Sequence, residues 1–278
     1  MELQKERMFS NKMLVRLLIP LVIEQALSVL VGMADGVMVS SVGEAAISGV
    51  SLVDMINNVV LTLFAGLATG GAVITSQFLG ARDKENARLS AAQVVTMACL
   101  AGLGFMALCL AFGENIMRFL FGSIDAEVME KGLVYFRITA MSFPFIAVYN
   151  AGAALFRSQG NSKVSMEVSL LMNVINVAGN AILIFGFGMD VAGVAIPTLV
   201  SRTVAAAVIL GMLFNDKLTL HLSNVRAFRL DMRLMKNIFY IGVPSGVENG
   251  MFHLGRLVLF SLISTFGTAA MVANAIGN

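Results

Sequence analysis

Residues 17–43 read LLIPLVIEQALSVLVGMADGVMVSSVG, an apolar run long enough to cross a bilayer that nonetheless carries two carboxylates, Glu24 and Asp35. A hydrocarbon core of about 30 Å is spanned by about 20 helical residues, so the stretch predicts a transmembrane helix. Ionisable side chains at that depth are costly unless they face protein or water. Asp35 follows Glu24 by eleven residues, about three helical turns, so both lie on one face. A polar stripe of this kind needs partners elsewhere in the chain.

The rest of the chain continues in the same style. Further apolar runs follow Met13 to Val42: Ile47 to Leu79, Leu89 to Phe112, Val134 to Phe156, Val164 to Phe187, Val191 to Phe214 and Leu234 to Phe266, with an unfinished eighth ending on GTAAMVANAIGN. Of 278 residues, 58% are hydrophobic and 13% charged, against about a quarter charged in soluble domains. Mean hydropathy is +0.84. The fold class is therefore an all-α polytopic membrane protein with the lipid bilayer as its surroundings. A net charge of +2, without a basic soluble face, gives no reason to expect nucleic acid as a partner. The polar N-terminus, MELQKERMFSNKM, has no cleavage signature, which predicts that the first helix is retained. Cys99 and Cys109 share one apolar run on different helix faces and read as small core or lipid-facing residues, not as a disulfide.

Loop charges set the expected orientation, since Lys and Arg stay on the cytoplasmic side far more often than they cross. The N-terminus (Lys5, Arg7, Lys12), second loop (Arg82, Lys84, Arg88), fourth loop (Arg157, Lys163) and sixth loop (Lys217, Arg226, Arg229, Arg233, Lys236) are basic. The opposite loops hold only Arg118 and Lys131, beside several acids. A cytoplasmic N-terminus follows, in a cell (plasma) membrane protein.

An ungapped shift of 224 residues places the seventh run on the first. Pro20 meets Pro244, Glu24 meets Glu248, Leu30 meets Leu254, Ser40 meets Ser264, and GEAA at 43–46 meets GTAA at 267–270. Six runs is an even number, so two such units would be parallel repeats about an axis along the membrane normal. The expected organisation is a six-helix N-terminal lobe at 1–214, a basic cytoplasmic linker at 215–233, and the truncated start of a C-terminal lobe at 234–278, from a protein of roughly twelve helices.

Ionisable residues inside the runs are Glu24, Asp35, Asp54, Glu167, Arg202, Glu248, His253 and Arg256. The fifth and sixth runs supply candidate partners for Asp35. Asn176 and Asn180 are four apart on one helix face, beside Asn173, and Thr198 adjoins Pro197, which can free backbone carbonyls. These oxygens suit a proton or a small hard cation such as Na⁺; the plainer role is amides joining helices. Asp54, Asn57 and Asn58 are expected near the external helix end, in solvent. Glycines in LATGGAVITSQFLGARD point to close helix packing.

Four stretches then resemble the multidrug and toxic compound extrusion (MATE) transporters: residues 18–51, LIPLVIEQALSVLVGMADGVMVSSVGEAAISGVS; 70–83, GGAVITSQFLGARD; 156–163, FRSQGNSK; and 173–202, NVINVAGNAILIFGFGMDVAGVAIPTLVSR. The resemblance implies two six-helix lobes with pseudo-twofold symmetry and an antiporter that uses Na⁺ or H⁺ to export cationic amphiphilic drugs by alternating access. It implies that Asp35 is the coupling aspartate of the N-terminal lobe, with Asn176 and Thr198 in its site. Asn180 stands where many members carry a second aspartate, which leaves the ion's identity open. Some members carry a coupling glutamate eight residues after the seventh-helix proline; here that position is Phe252, so Glu248 does not inherit the role. Pro20, Glu24, Pro244 and Glu248 read as structural or gating positions of the repeat.

On this reading the substrate lies between lobes against Met and Phe side chains, 19 of each in the chain. No cofactor, resident metal or oligomer is required beyond Na⁺ or H⁺ as coupling ion. An enzyme is not expected, since no metal-ligand cluster or paired Ser and His stands at suitable spacing. The alternatives are a lipid-linked saccharide flippase of the same superfamily, which would need a more basic cavity than Arg202 and Arg256 suggest, and a non-transporting structural membrane protein.

Overall fold

The computed structural model describes residues 11–121, 124–215, 220–222 and 230–264. Every regular element among them is helical: α1 (Asn11–Ser40), α2 (Glu44–Gly80), α3 (Lys84–Phe121), α4 (Ala126–Met141), α5 (Phe143–Ser158), α6 (Ser162–Ala181), α7 (Ala192–Leu213) and α8 (Met232–Ser264). A single π-turn, Ile182–Gly186, extends α6. Within the described residues, α1, α2, α3, α6 with its π-turn, and α7 are each long and apolar enough to cross a membrane. α4 and α5 form a sixth crossing, bent by 48°. α8 corresponds to the seventh run; the GTAA exit and the eighth run lie outside the described residues.

The fourth crossing departs from the single helix expected at Val134 to Phe156. It begins at Ala126 and breaks at Ser142. Pro144 has no N–H to continue the ladder, a loss that costs nothing in the first turn of a helix, so a new helix starts there. Ser142 Oγ donates to the Thr139 carbonyl at 2.6 Å and closes the α4 end. The third crossing also runs past Phe112 to Phe121, carried by an Arg118–Glu114 pair at 2.9 Å one turn apart.

Small residues decide which helices touch most closely. A Cβ added at Gly66 of α2 would lie 2.5 Å from Gly246 Cα, and one at Gly70 would lie 2.5 Å from the Ile238 carbonyl oxygen, so α2 and α8 meet backbone to backbone. Gly71 faces Val94 of α3 with no more room. Gly70 and Gly71 thus have the packing role expected of the glycines in LATGGAVITSQFLGARD, whereas Gly80 has nothing within 4 Å of its Cβ position. Phe64 of α2 meets Phe105 of α3 and Phe143 of α5 edge-on, with ring centroids 5.6 and 6.1 Å apart. Phe136, Phe143, Phe156 and Ile209 fill the centre of the bundle, fully buried.

α1 packs chiefly on α6 and little on α2. Its other face, with Val22, Met33 and Val37, is 65–71% exposed. Among the described residues, Arg16 near the start of α1, Arg82 and Lys84 where α2 meets α3, Arg157 and Lys163 where α5 meets α6, and Arg233 and Lys236 near the start of α8 stand at one end of the bundle. At that end Asp83 accepts from the Asn86 N–H at 3.1 Å and from Asn86 Nδ2 at 2.6 Å, capping α3. These bonds hold its carboxyl below the usual value. At the opposite end Arg118 pairs with Glu114, and Lys131 pairs with Asp190 at 3.0 Å.

Candidate functional site

The partners that α1 needs are supplied by α6 and α7. Asn176 and Asn180 sit one turn apart on α6, and both side chains are buried. Asn180 Nδ2 donates to Asp35 Oδ1 at 2.8 Å. With its amide nitrogen toward α1, Asn176 donates to both Asp35 oxygens at 3.1 and 3.2 Å, and its oxygen accepts from Thr198 Oγ1 at 3.0 Å. The opposite orientation would set the amide oxygen against a carboxylate, which fixes the choice. α6 and α7 approach closely here because Gly179 has no side chain: a Cβ there would lie 2.7 Å from Pro197 Cβ. α7 stays helical through Pro197, and Thr198 Oγ1 lies 3.0 Å from the Val194 carbonyl. The four residues that the sequence grouped are thus in contact.

Asp35 opens onto a polar cavity of about 310 Å³. Asp54 and Asn57 of α2 line it too, so the expectation that they stand in solvent is corrected. The helix is longer than its apolar run and continues to Glu44, which places Asp54 inside the bundle. Asp54 accepts from Tyr135 Oη of α4 at 3.2 Å and from Asn57 Nδ2 at 3.3 Å. Asn57 is buried, and its amide oxygen has no partner among the described residues. Arg202 lines the same cavity and donates from Nη1 to Ser142 Oγ at 2.7 Å, tying α7 to the bend between α4 and α5. Tyr135 and Arg202 thus join a site that sequence reasoning had drawn without them.

Glu24 lies lower on the same face of α1. It accepts from Ser165 Oγ of α6 at 3.1 Å and stands 4.0 Å from Arg157 Nη1 of α5. A second cavity of about 330 Å³ lies between Glu24, Asn58, Thr62 and Tyr149. Ser28, Asn58, Leu61 and Met172 line both cavities, so the two form one polar cleft along α1. Glu167, grouped with the membrane-depth residues in the sequence, is instead half exposed and paired with Lys163 at 3.4 Å, one turn inside the start of α6. Pro20 and Pro244 lie within α1 and α8, and Glu248 is exposed. The side chains of Phe252, His253 and Arg256 lie outside the described residues. Cys99 and Cys109 are both free thiols.

Six apolar crossings around a cleft of carboxylates and amides define a multi-pass membrane protein whose polar groups are gathered within the bundle. Residues 20–182 match the MatE family model, and the chain belongs to that family. It is 29% identical over 256 residues to an uncharacterized transporter, YisQ, of Bacillus subtilis, covering 91% of this chain and 56% of that protein. With the probable multidrug resistance protein NorM of Thermotoga maritima it shares 27% identity over 281 residues, 96% of this chain and 58% of that one. A crystal structure of MATE in complex with MaD3S superposes with a TM-score of 0.89 at 26% identity, covering 95% of this chain and 59% of the other. The chain therefore spans somewhat over half the length of these relatives. MatE proteins are transporters and not enzymes, which agrees with the expectation from the sequence.

Proposed function

We propose that the chain forms the cation-coupling lobe of an antiporter that exports cationic amphiphilic compounds, driven by Na⁺ or H⁺, through alternating access. The observation that carries this reading is Asp35, a carboxylate within a membrane crossing that accepts from the amides of both Asn176 and Asn180. The amide N–H groups offset its charge in the state described here. A proton would neutralise it instead, and Na⁺ would require amide oxygens to turn toward it. Either event rearranges the contact of α1 with α6, and a ligand shifts a two-state equilibrium only through such differential contacts. The resistance and export functions named for relatives support a drug substrate.

The organisation into a lobe at 1–214, a linker at 215–233 and the start of a second lobe belongs to this proposal, as do the plasma-membrane location and the cytoplasmic N-terminus. The basic residues gathered at one end of the bundle support that orientation. A flippase for lipid-linked saccharides is less well supported, because Arg202 is the only basic side chain lining the cleft at Asp35 among the described residues, and it faces Asp54 and Ser142.

The test is gradient-driven drug efflux by the transporter as the cell makes it, with Asp35→Asn. Export is expected to fall to that of cells lacking the protein, at unchanged membrane abundance. Undiminished, gradient-dependent export would remove Asp35 from the mechanism.

A further inference from the structure

The polar cleft does not end at Asp35. It continues past Ser28 and Asn58 to Glu24, whose neighbour Arg157 also lines a third, larger cavity of about 990 Å³ at the basic end of the bundle, beside Arg16 and Lys163. Eleven helical residues separate the two carboxylates, a rise of about 16 Å. Direct transfer over that distance is excluded, yet two joined cavities of about 310 and 330 Å³ have ample room for bridging water. Ser28, Asn58, Thr62 and Tyr149 provide polar groups along the way.

We propose that Glu24 is the second station of the coupling cation: the ion or proton leaving Asp35 passes down the α1 cleft to Glu24 and is released past Arg157 at the basic, cytoplasmic end. The inference rests on the coupling role proposed above for Asp35 and on the orientation proposed with it. In the step, Asp35 regains its negative charge and its bonds to Asn176 and Asn180, while Glu24 becomes protonated or binds Na⁺. Glu24 then has no net charge to hold Arg157, and its Ser165 bond is shared with the newcomer. Once the cation departs, Arg157 restores the resting pair. The titratable groups facing Glu24 are Arg157 and Tyr149 of α5. On α6, Lys163 and Glu167 engage each other, and α2 presents the uncharged Asn58 and Thr62.

A relay station differs from a structural residue in which partial reaction it controls. In proteoliposomes of the intact transporter, drug/drug exchange at equal ion concentrations needs no net cation release, whereas efflux driven by a pH or Na⁺ gradient does. Glu24→Gln is expected to slow gradient-driven efflux at least roughly tenfold and to leave drug/drug exchange within twofold of the unaltered protein. Glu24→Asp should recover most of the driven rate. Separate pH-gradient and Na⁺-gradient arms identify the cation whose release is slowed. Driven efflux at the normal rate in Glu24→Gln, alongside inactive Asp35→Asn, overturns the relay and leaves the coupling site standing. Loss of exchange and driven efflux together, unrelieved by Glu24→Asp, also overturns it and marks Glu24 as structural. Full driven efflux in Asp35→Asn sinks the coupling reading itself, whatever Glu24→Gln does.

Discussion

Asn180 presents an amide nitrogen to Asp35 at 2.8 Å where a carboxylate would present a second negative charge. Two carboxylates at such a distance cannot both stay ionised without a cation between them. Asn180→Asp should therefore tighten cation binding at least roughly tenfold, since a unit charge about 4 Å away is worth about 4 kcal/mol at an effective dielectric of about 20 and tenfold needs only about 1.4. The measurement is the Na⁺ or H⁺ concentration that half-saturates drug transport. The prediction fails if that concentration is unchanged or rises. The Asp35 cluster was legible in the sequence because a membrane helix carries few amides, and Asn176 and Asn180 at i and i+4 define a face. Asp54 was not legible. It sits close to the end of its apolar run, and the sequence alone does not say that α2 continues to Glu44 and draws it in against Tyr135.

Helices supply the next level, and here glycines outrank hydrophobic pattern. α2 and α8 approach so closely at Gly70 that any side chain must displace the backbone around Ile238 and Gly242. Gly70→Leu should destabilise the bundle by about 1–3 kcal/mol, the usual cost of overpacking. A lowered unfolding midpoint in detergent is the expected readout. Gly104 of α3, with nothing within 4 Å of its Cβ position, is the control: Gly104→Ala should leave the midpoint unchanged or raise it slightly. Equal effects at both positions would remove the close-approach argument. The Asp83 cap gives a pH dependence of known sign. Its carboxyl is held below the usual value in the folded protein, so the cap contributes above the ordinary Asp range and is lost as pH falls through the lowered value. Hydrogen exchange at the Asn86 amide should quicken only at that acidity and stay slow at pH 5. Repeated apolar runs made the number of crossings legible, but not the 48° bend: Pro144 signals a break, while its angle depends on how Ser142, Arg202 and α3 pack around it.

At the scale of the whole molecule, the outer face of α1 governs what the chain can do alone. Val22, Met33 and Val37 stand 65–71% exposed, on the helix that also carries Asp35 and Glu24. Lipid can cover an apolar face, but the cleft beside it is polar: Gln25 and Ser28 are exposed at its mouth. Hydrocarbon would leave those groups without hydrogen bonds, at a cost of several kcal/mol. A facing protein surface would both seal the cleft and give α1 two alternative contacts to choose between. Over two-fifths of each related transporter lies outside the part matched by this chain, and the alternating access proposed above needs a body for the bundle to move against. The 278-residue chain, reconstituted by itself, should therefore bind the coupling cation at Asp35 yet build no drug gradient under an imposed pH or Na⁺ gradient. Fluorescent-drug accumulation in vesicles measures the second property directly. Uphill accumulation by this chain alone would mean that α1 finds its opposing surface in a second copy, and cross-linking through cysteines placed at Val29 and Met33 would then report the pair.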